Sequence, residues 1–346
     1  MIEPTKAPSL RERDLKYTSQ AFEKLAEPLR QELKRHCYSM LGSVHEAEDL
    51  VQETFLRAWR SFDGFEGRGS LRAWLYQIAT NACLNALAAR KNAQRLLPDQ
   101  RAPASTRMPD GKPSTEITWL EPYPDSNLQG MVDDTPDPAA RYASAEVVRL
   151  AFAAVIQQLP PRQRAALLLC DVVGWSAVET AALLGGSTAS INSALQRARE
   201  TLAKRFPQGL PPAAPATTSV QQALLHRYVQ AWEGMDLASF VALLKEDAHY
   251  TMPPVSQWYA GRQAIGAFFE WAWKAYGSFR LIPTAANRQP AFAAYSRAGA
   301  QAPWMAHSIH VLTLEEDRIA ALTLFVKPTG PQLFQAFGLP LTSTSL

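Results

Sequence analysis

Apolar residues recur at helical spacing through the first quarter of the chain. From about Ser19 to Leu41 the pattern runs through Phe22, Leu25, Leu29, Leu33, Cys37 and Met40, and Gly42-Ser43 ends it. Ala47, Leu50, Val51, Phe55 and Ala58 make a second stripe, with Glu46, Glu48, Asp49 and Glu53 gathered near its start, where a helix dipole favours carboxylates. Three glycines between Phe62 and Ser70 interrupt the helical pattern. Ser70 is a good N-cap for a third helix carrying Leu71, Trp74, Leu75, Ile78, Ala79, Ala82 and Leu87.

The pattern then lapses. Residues 92–143 hold prolines at 98, 103, 109, 113, 122, 124, 136 and 138 and read as a linker. Within it, Ile117 to Asp125 is an island of aromatics that a plain spacer does not need, and docking on a neighbouring domain is its expected use. Helical spacing resumes at residues 144–206, through Val147, Val148, Ala151, Val155, Ile156 and Leu159, then from Arg164 to Val172. Ser176 with Glu179 forms a capping-box signature for a short helix ending at Leu184. Gly185-Gly186-Ser187 is a turn, and Thr188–Arg205 a second helix capped by Ser187. This is the outline of a helix-turn-helix, whose second helix enters the major groove of DNA.

After a second proline-rich linker at 207–219, the period changes. Helices are expected at Val220–Glu233, Leu237–Leu244 and Arg262–Tyr276. Strands are expected at Ala248–Met252, Trp258–Tyr259, Phe279–Ala286, Gln289–Tyr295, Met305–Glu315 and Arg318–Val326. Helices first and a meandering sheet afterwards predict an α+β domain.

Charge adds little on the large scale. The net charge of the 346 residues is +3, but residues 96–143 carry 4 basic and 8 acidic groups, so an acidic middle separates two mildly basic segments. The cysteines Cys37, Cys83 and Cys170 form no CxxC pair and are expected as buried thiols, without metal or cofactor. No segment has the length or apolarity of a signal peptide or a membrane span, so a soluble cytoplasmic protein is expected.

The wording of two stretches is more specific than their periodicity. AEDLVQETFLRAWRSFDGFEG followed by LRAWLYQIATNACLNAL, and WSAVETAALLGGSTASINSALQRARETLAKR, resemble the two DNA-binding domains of bacterial extracytoplasmic-function sigma factors. The resemblance implies core RNA polymerase and promoter DNA as partners, and admits a separate anti-sigma protein. By position it assigns Asp49, Gln52, Glu53 and Trp59 to polymerase binding. Phe62, Phe65, Arg68, Arg72, Asn81 and Asn85 go to the −10 element. Thr188, Ser190, Asn192, Ser193, Arg197 and Arg199 go to the −35 element. The chain departs from the family at Asn192 and Ala194, where basic residues are common, so a weaker grip on phosphates is expected.

The phrase LLKEDAHYTMPPVSQWYAGRQAIGAFF resembles the SnoaL-like, nuclear-transport-factor-like cone, a fold that encloses an apolar pocket. Met252, Trp258, Phe268, Trp271, Asn287, Gln289, His310 and Phe325 are the candidate lining residues for a small-molecule ligand. Asp247, His249, His307 and His310 are available for acid–base chemistry, but their spacing specifies neither a triad nor a metal site.

The expected architecture is two all-α domains and a C-terminal α+β cone. The boundaries are 17–92, linker 93–143, 144–206, linker 207–219 and 220–346. The expected function is promoter-specific initiation with a regulatory rather than catalytic cone, which holds a compact state that binds polymerase poorly. Two rivals are a polymerase-independent helix-turn-helix regulator and a SnoaL-like enzyme fused to a DNA-binding module.

Overall fold

The computed structural model describes residues 20–62, 70–90, 94–109, 118–128, 149–207 and 217–344. Phe65 and Arg68, and the linker beyond residue 128, lie outside these.

The first helical domain begins with a helical stretch at 20–26, tightened at Glu27–Leu29 where Pro28 sits, and continues as α1 (Arg30–Leu41). Gly42 ends α1 with a φ of 70°. A Cβ there would lie 3.0–3.1 Å from the side chains of Arg95, Gln157 and Leu120, so glycine is required by backbone and surroundings together. α2 (Val44–Arg60) is capped by Ser43, whose Oγ accepts from the Glu46 amide, and α3 (Leu71–Ala88) is capped by Ser70.

The second helical domain comprises α4 (Leu150–Ile156), α5 (Pro161–Leu167), which widens into a π-type turn at Leu168–Val172, α6 (Ala177–Leu184) and α7 (Thr188–Arg205). The helix-turn-helix of α6 and α7 has the expected capping box: the Glu179 amide donates to Ser176 Oγ, and the Ser176 amide to the Glu179 carboxylate. Gly185 makes the left-handed turn that ends α6.

The C-terminal domain opens with α8 (Ser219–Glu233) and α9 (Leu237–Ala242). β1 (Leu244–Thr251), β2 (Trp258–Ala260), α10 (Arg262–Ala272), β3 (Ser278–Ala286), β4 (Gln289–Arg297), β5 (Trp304–Glu315) and β6 (Arg318–Phe325) follow. The sheet order is β2-β1-β6-β5-β4-β3, antiparallel except for the β1–β6 pair. The sequence pattern did not reveal α11 (Thr329–Ala336) or the short β7 (Thr342–Ser343) that pairs with β5.

Two apolar cores result. One lies inside the C-terminal domain, where Trp232 is ringed by Phe240, Phe269, Trp273 and Phe279 at centroid distances of 5.3–6.0 Å. The other is continuous through both helical domains, the linker and the outer face of the sheet with α11. A core shared by three domains makes their arrangement part of the fold rather than a loose tethering.

Candidate nucleic-acid and polymerase interfaces

The solvent face of α2 carries Asp49, Gln52, Leu56 and Trp59 at helical spacing, opposite the buried Ala47, Val51, Phe55 and Ala58. Leu56 and Trp59 are 54% and 42% exposed. Glu53 lies beside this face and is paired with Arg57 one turn on. Leu56 was missed from sequence; its signal is an apolar residue out of phase with the buried stripe.

On α3, Asn81 and Asn85 stand exposed one turn apart, each offering a donor and an acceptor. Phe62 is partly buried against Phe22, edge to face at 5.1 Å. Arg72 is engaged by Glu32, with Nε 2.9 Å from Oε1, and lies 5.2 Å over the Tyr76 ring. Burial alone would raise the Glu32 carboxyl; the Arg72 guanidinium and the Tyr76 hydroxyl outweigh it and hold the carboxyl below its usual range.

On α7, Thr188, Ser190, Asn192 and Ser193 are exposed, while Ile191, Leu195 and Ala198 face the core. Ser190 Oγ donates to the Ser187 carbonyl, and Arg197 donates to Ser193 Oγ at 2.9 Å. Arg199 makes a bidentate pair with Asp171 at 2.6 and 3.0 Å. Both arginines are held by local partners, which either would have to release to reach another anion.

The two helical domains touch directly. Arg164 of α5 is fully buried with no carboxylate partner among the described residues. It donates to the carbonyls of Ile156, Gln157 and Leu159, to Gln157 Oε1, and across the domain interface to the Met40 carbonyl at the end of α1. Burial lowers its pKa to about 10, so it remains charged at neutral pH. Gln157 Nε2 donates to the Ser39 carbonyl, and Trp175 packs on Tyr76 at 5.6 Å.

The linker island is docked, with Trp119, Leu120 and Tyr123 buried. Its partner is the β3–β4 hairpin, whose two turn residues Asn287 and Arg288 both have positive φ, as a tight two-residue turn requires. Asn287 is fully buried between the domains. Its Oδ1 accepts from the Tyr123 amide at 2.9 Å, its own amide donates to the Tyr123 carbonyl at 2.8 Å, and its Nδ2 donates to the Tyr38 hydroxyl at 3.1 Å. Tyr38 in turn donates to the Glu121 carbonyl at 2.8 Å. Burial pushes the Tyr38 phenol up, so this donor stays protonated. The Glu121 carboxylate accepts from Ser43 Oγ and the Val44 amide, both at 2.9 Å, at the first turn of α2. An earlier pass of the linker ties the second helical domain to the cone. Gln94 and Gln100 donate to the carbonyls of Gln158 and Ala154. Trp258 and Tyr259 donate to those of Ala102 and Arg107.

The eight candidate pocket residues are not brought together. Met252 and Phe268 belong to the aromatic core. Trp271 is 48% exposed. Trp258 and Asn287 hold the linker, and Gln289 donates to Thr313 Oγ1. His310 and Phe325 face opposite sides of the sheet. His310 pairs with Leu324 toward the inner core, while Phe325 pairs with Ile309 in the outer one. His310 Nδ1 meets the Tyr228 hydroxyl at 2.9 Å and its Nε2 meets Ser308 Oγ at 2.8 Å. Burial drives His310 well below 6.5 and His307 down to about 4, so both are neutral. Asp247 and His249 lie apart from them on exposed positions of β1. Among the described residues no group of His, Cys, Asp and Glu is placed to hold a metal ion, and no helix is long and apolar enough to cross a membrane.

Comparison with known proteins divides the chain the same way. Residues 25–93 match Sigma-70 region 2, residues 149–202 match Sigma-70 region 4, and residues 225–322 match the SnoaL-like domain. The ECF RNA polymerase sigma factor SigG of Mycobacterium tuberculosis is 43% identical over 328 residues, covering 92% of this chain and 84% of SigG. The ECF RNA polymerase sigma factor SigW of Bacillus subtilis is 29% identical over 190 residues, 54% of this chain and 89% of SigW. The crystal structure of the Mycobacterium tuberculosis extracytoplasmic function sigma factor SigJ superposes with a TM-score of 0.56 at 24% identity, covering 93% of this chain and 99% of SigJ; it shares the fold.

Proposed function

The chain belongs to the extracytoplasmic-function RNA polymerase sigma factors, and we propose that the structure is its closed, non-initiating form. A sigma factor acts with core RNA polymerase on promoter DNA, reading two elements about 25 base pairs apart, or roughly 85 Å at 3.4 Å per pair. Here the two DNA-reading domains are in contact, with Tyr76 and Trp175 5.6 Å apart. That contact is the observation that carries the proposal: no single duplex can be read at both elements until the domains separate.

The cone and linker act as the clamp. Asn287 and Tyr123 fix the cone to the first domain, and Gln94 and Gln100 fix the linker to the second. The face carrying Asp49, Gln52, Leu56 and Trp59 is open in this form. We therefore propose a block at promoter engagement, in place of the expected block at polymerase binding. Asn81, Asn85, Thr188 and Asn192 are the proposed base-reading residues. The limits 17–92, 144–206 and 220–346 are the proposed domains, and the cytoplasm is the proposed site of action.

The cone is proposed as a non-catalytic regulator. What supports this is that both His310 ring nitrogens are occupied and that its interior is filled by its own aromatic side chains. The test is a reconstituted transcription assay comparing the full chain with one lacking residues 217–346. Promoter output per polymerase rises when the cone is removed; unaltered output sinks the proposal.

A further inference from the structure

We infer that His45 is a proton-operated clasp between the first helical domain and the cone, closed when its imidazole carries both ring protons. The inference rests on the closed-form reading and gives it a physical control. His45 Nδ1 lies 3.1 Å from Glu121 Oε2 in the linker, and Nε2 lies 3.2 Å from the Gln332 carbonyl of α11. A carboxylate and a carbonyl can only accept. A neutral imidazole has one N–H and satisfies one of them; the imidazolium satisfies both. Among the other histidines, His36 bonds Thr80 within the first domain, and His307 and His310 bond Ser308 inside the cone.

The surroundings decide the sign. On α2 itself, Glu46 is tied to Arg90 and Arg95, and Asp49 lies one turn further on. From the linker comes Glu121, which Arg95 approaches at 3.7 Å. From the cone, α11 offers the carbonyl and no titratable side chain. His45 is partly buried in the first turn of α2, and burial and the helix dipole both oppose a cation there. The Glu121 carboxylate, kept ionised by His45, Arg95, Ser43 and the Val44 amide against its burial, opposes them at direct contact. The result is a His45 pKa raised above 6.5, chiefly by the hydrogen bond to Glu121. A raised pKa stabilises the closed form most fully below the ordinary value of 6.5, and that stabilisation is lost as pH rises through the raised one. With the side chain 44% exposed, the proton exchanges with bulk water while the clasp is closed. Deprotonation withdraws the His45 donor from either Glu121 or the Gln332 carbonyl and weakens the seam between α2, linker and cone.

The experiment uses the full-length chain with one dye on the solvent face of α2 and another on an exposed position of the cone, read by single-molecule energy transfer from about pH 6 to about pH 8.5. The ratio of closed to open molecules falls roughly three- to tenfold across that range in the wild type. In His45→Gln the ratio is flat, and in Glu121→Gln the midpoint moves to lower pH because the main cause of the upward shift is gone. A flat wild-type profile, or the same slope in wild type and His45→Gln, overturns the clasp. If molecules in that case are closed at every pH, the closed-form reading stands without it; if no closed population exists at any pH, both fall.

Discussion

Asn287 shows how far a single residue's part depends on what comes near it. The resemblance to a pocket-enclosing cone makes it a candidate lining residue. In the structure it is buried against another domain, holding Tyr38 and Tyr123 with three hydrogen bonds. A sequence records that an amide sits in a hairpin turn; it does not record which surface that hairpin meets. Asn287→Ala removes a buried donor and acceptor, leaving the Tyr123 amide without its acceptor and taking from the Tyr38 hydroxyl the donor it receives from Asn287. The expected cost is about 2–4 kcal/mol in the docking of the cone. Faster proteolysis at the 207–219 linker is the measurement, and unchanged cleavage contradicts it. Arg164 is the matching residue on the other seam. Arg164→Met strips the donors from carbonyls of both domains, the Met40 carbonyl among them. It is expected to loosen the contact between the helical domains and to lower the midpoint of denaturant unfolding.

Elements were legible where their ends carry local chemistry. The capping box of Ser176 and Glu179, the Gly185 turn and the Ser187 cap placed the helix-turn-helix from sequence, because each acts within a few residues. The sheet was legible as strands but not as faces. Runs such as Arg318–Phe325 are apolar on both sides, since one side packs inside the cone and the other on the linker and α11, and the alternation that would tell His310's side from Phe325's is lost. α11 was missed for a related reason: a short helix holding Gly330 and Pro331 has little helical signal of its own and is made by packing. The start of α2 joins local and distant causes. Ser43 caps the helix through the Glu46 amide while donating to Glu121. Ser43→Ala should cost about 1–2 kcal/mol of stability by thermal or chemical denaturation. The loss should shrink in a Glu121→Gln background, because the two groups share one network. Equal losses in both backgrounds would separate the cap from the linker.

At the scale of the whole molecule, the sequence supplied the parts and their order, and even the aromatic island expected to dock. A compact state was expected, but not which residues build it, because a core shared by three domains is made of residues that each look like ordinary core of their own domain. Asp49, Gln52, Leu56 and Trp59 stay exposed in the closed form. Core polymerase is therefore expected to bind the full chain and the cone-less chain within a few-fold of each other, whereas promoter complexes should form far more readily with the latter. An equal rise in both would return the block to polymerase binding.

Whether the cone holds the DNA-reading domains together is measured by the distance between α3 and α7 in the free protein, read by energy transfer in the full chain and after removal of residues 217–346. One short, narrow distance is expected in the full chain and a longer, broad distribution once the cone is gone. The same distribution in both would mean that the cone does not hold the DNA-reading domains together, and would contradict the proposed clamp.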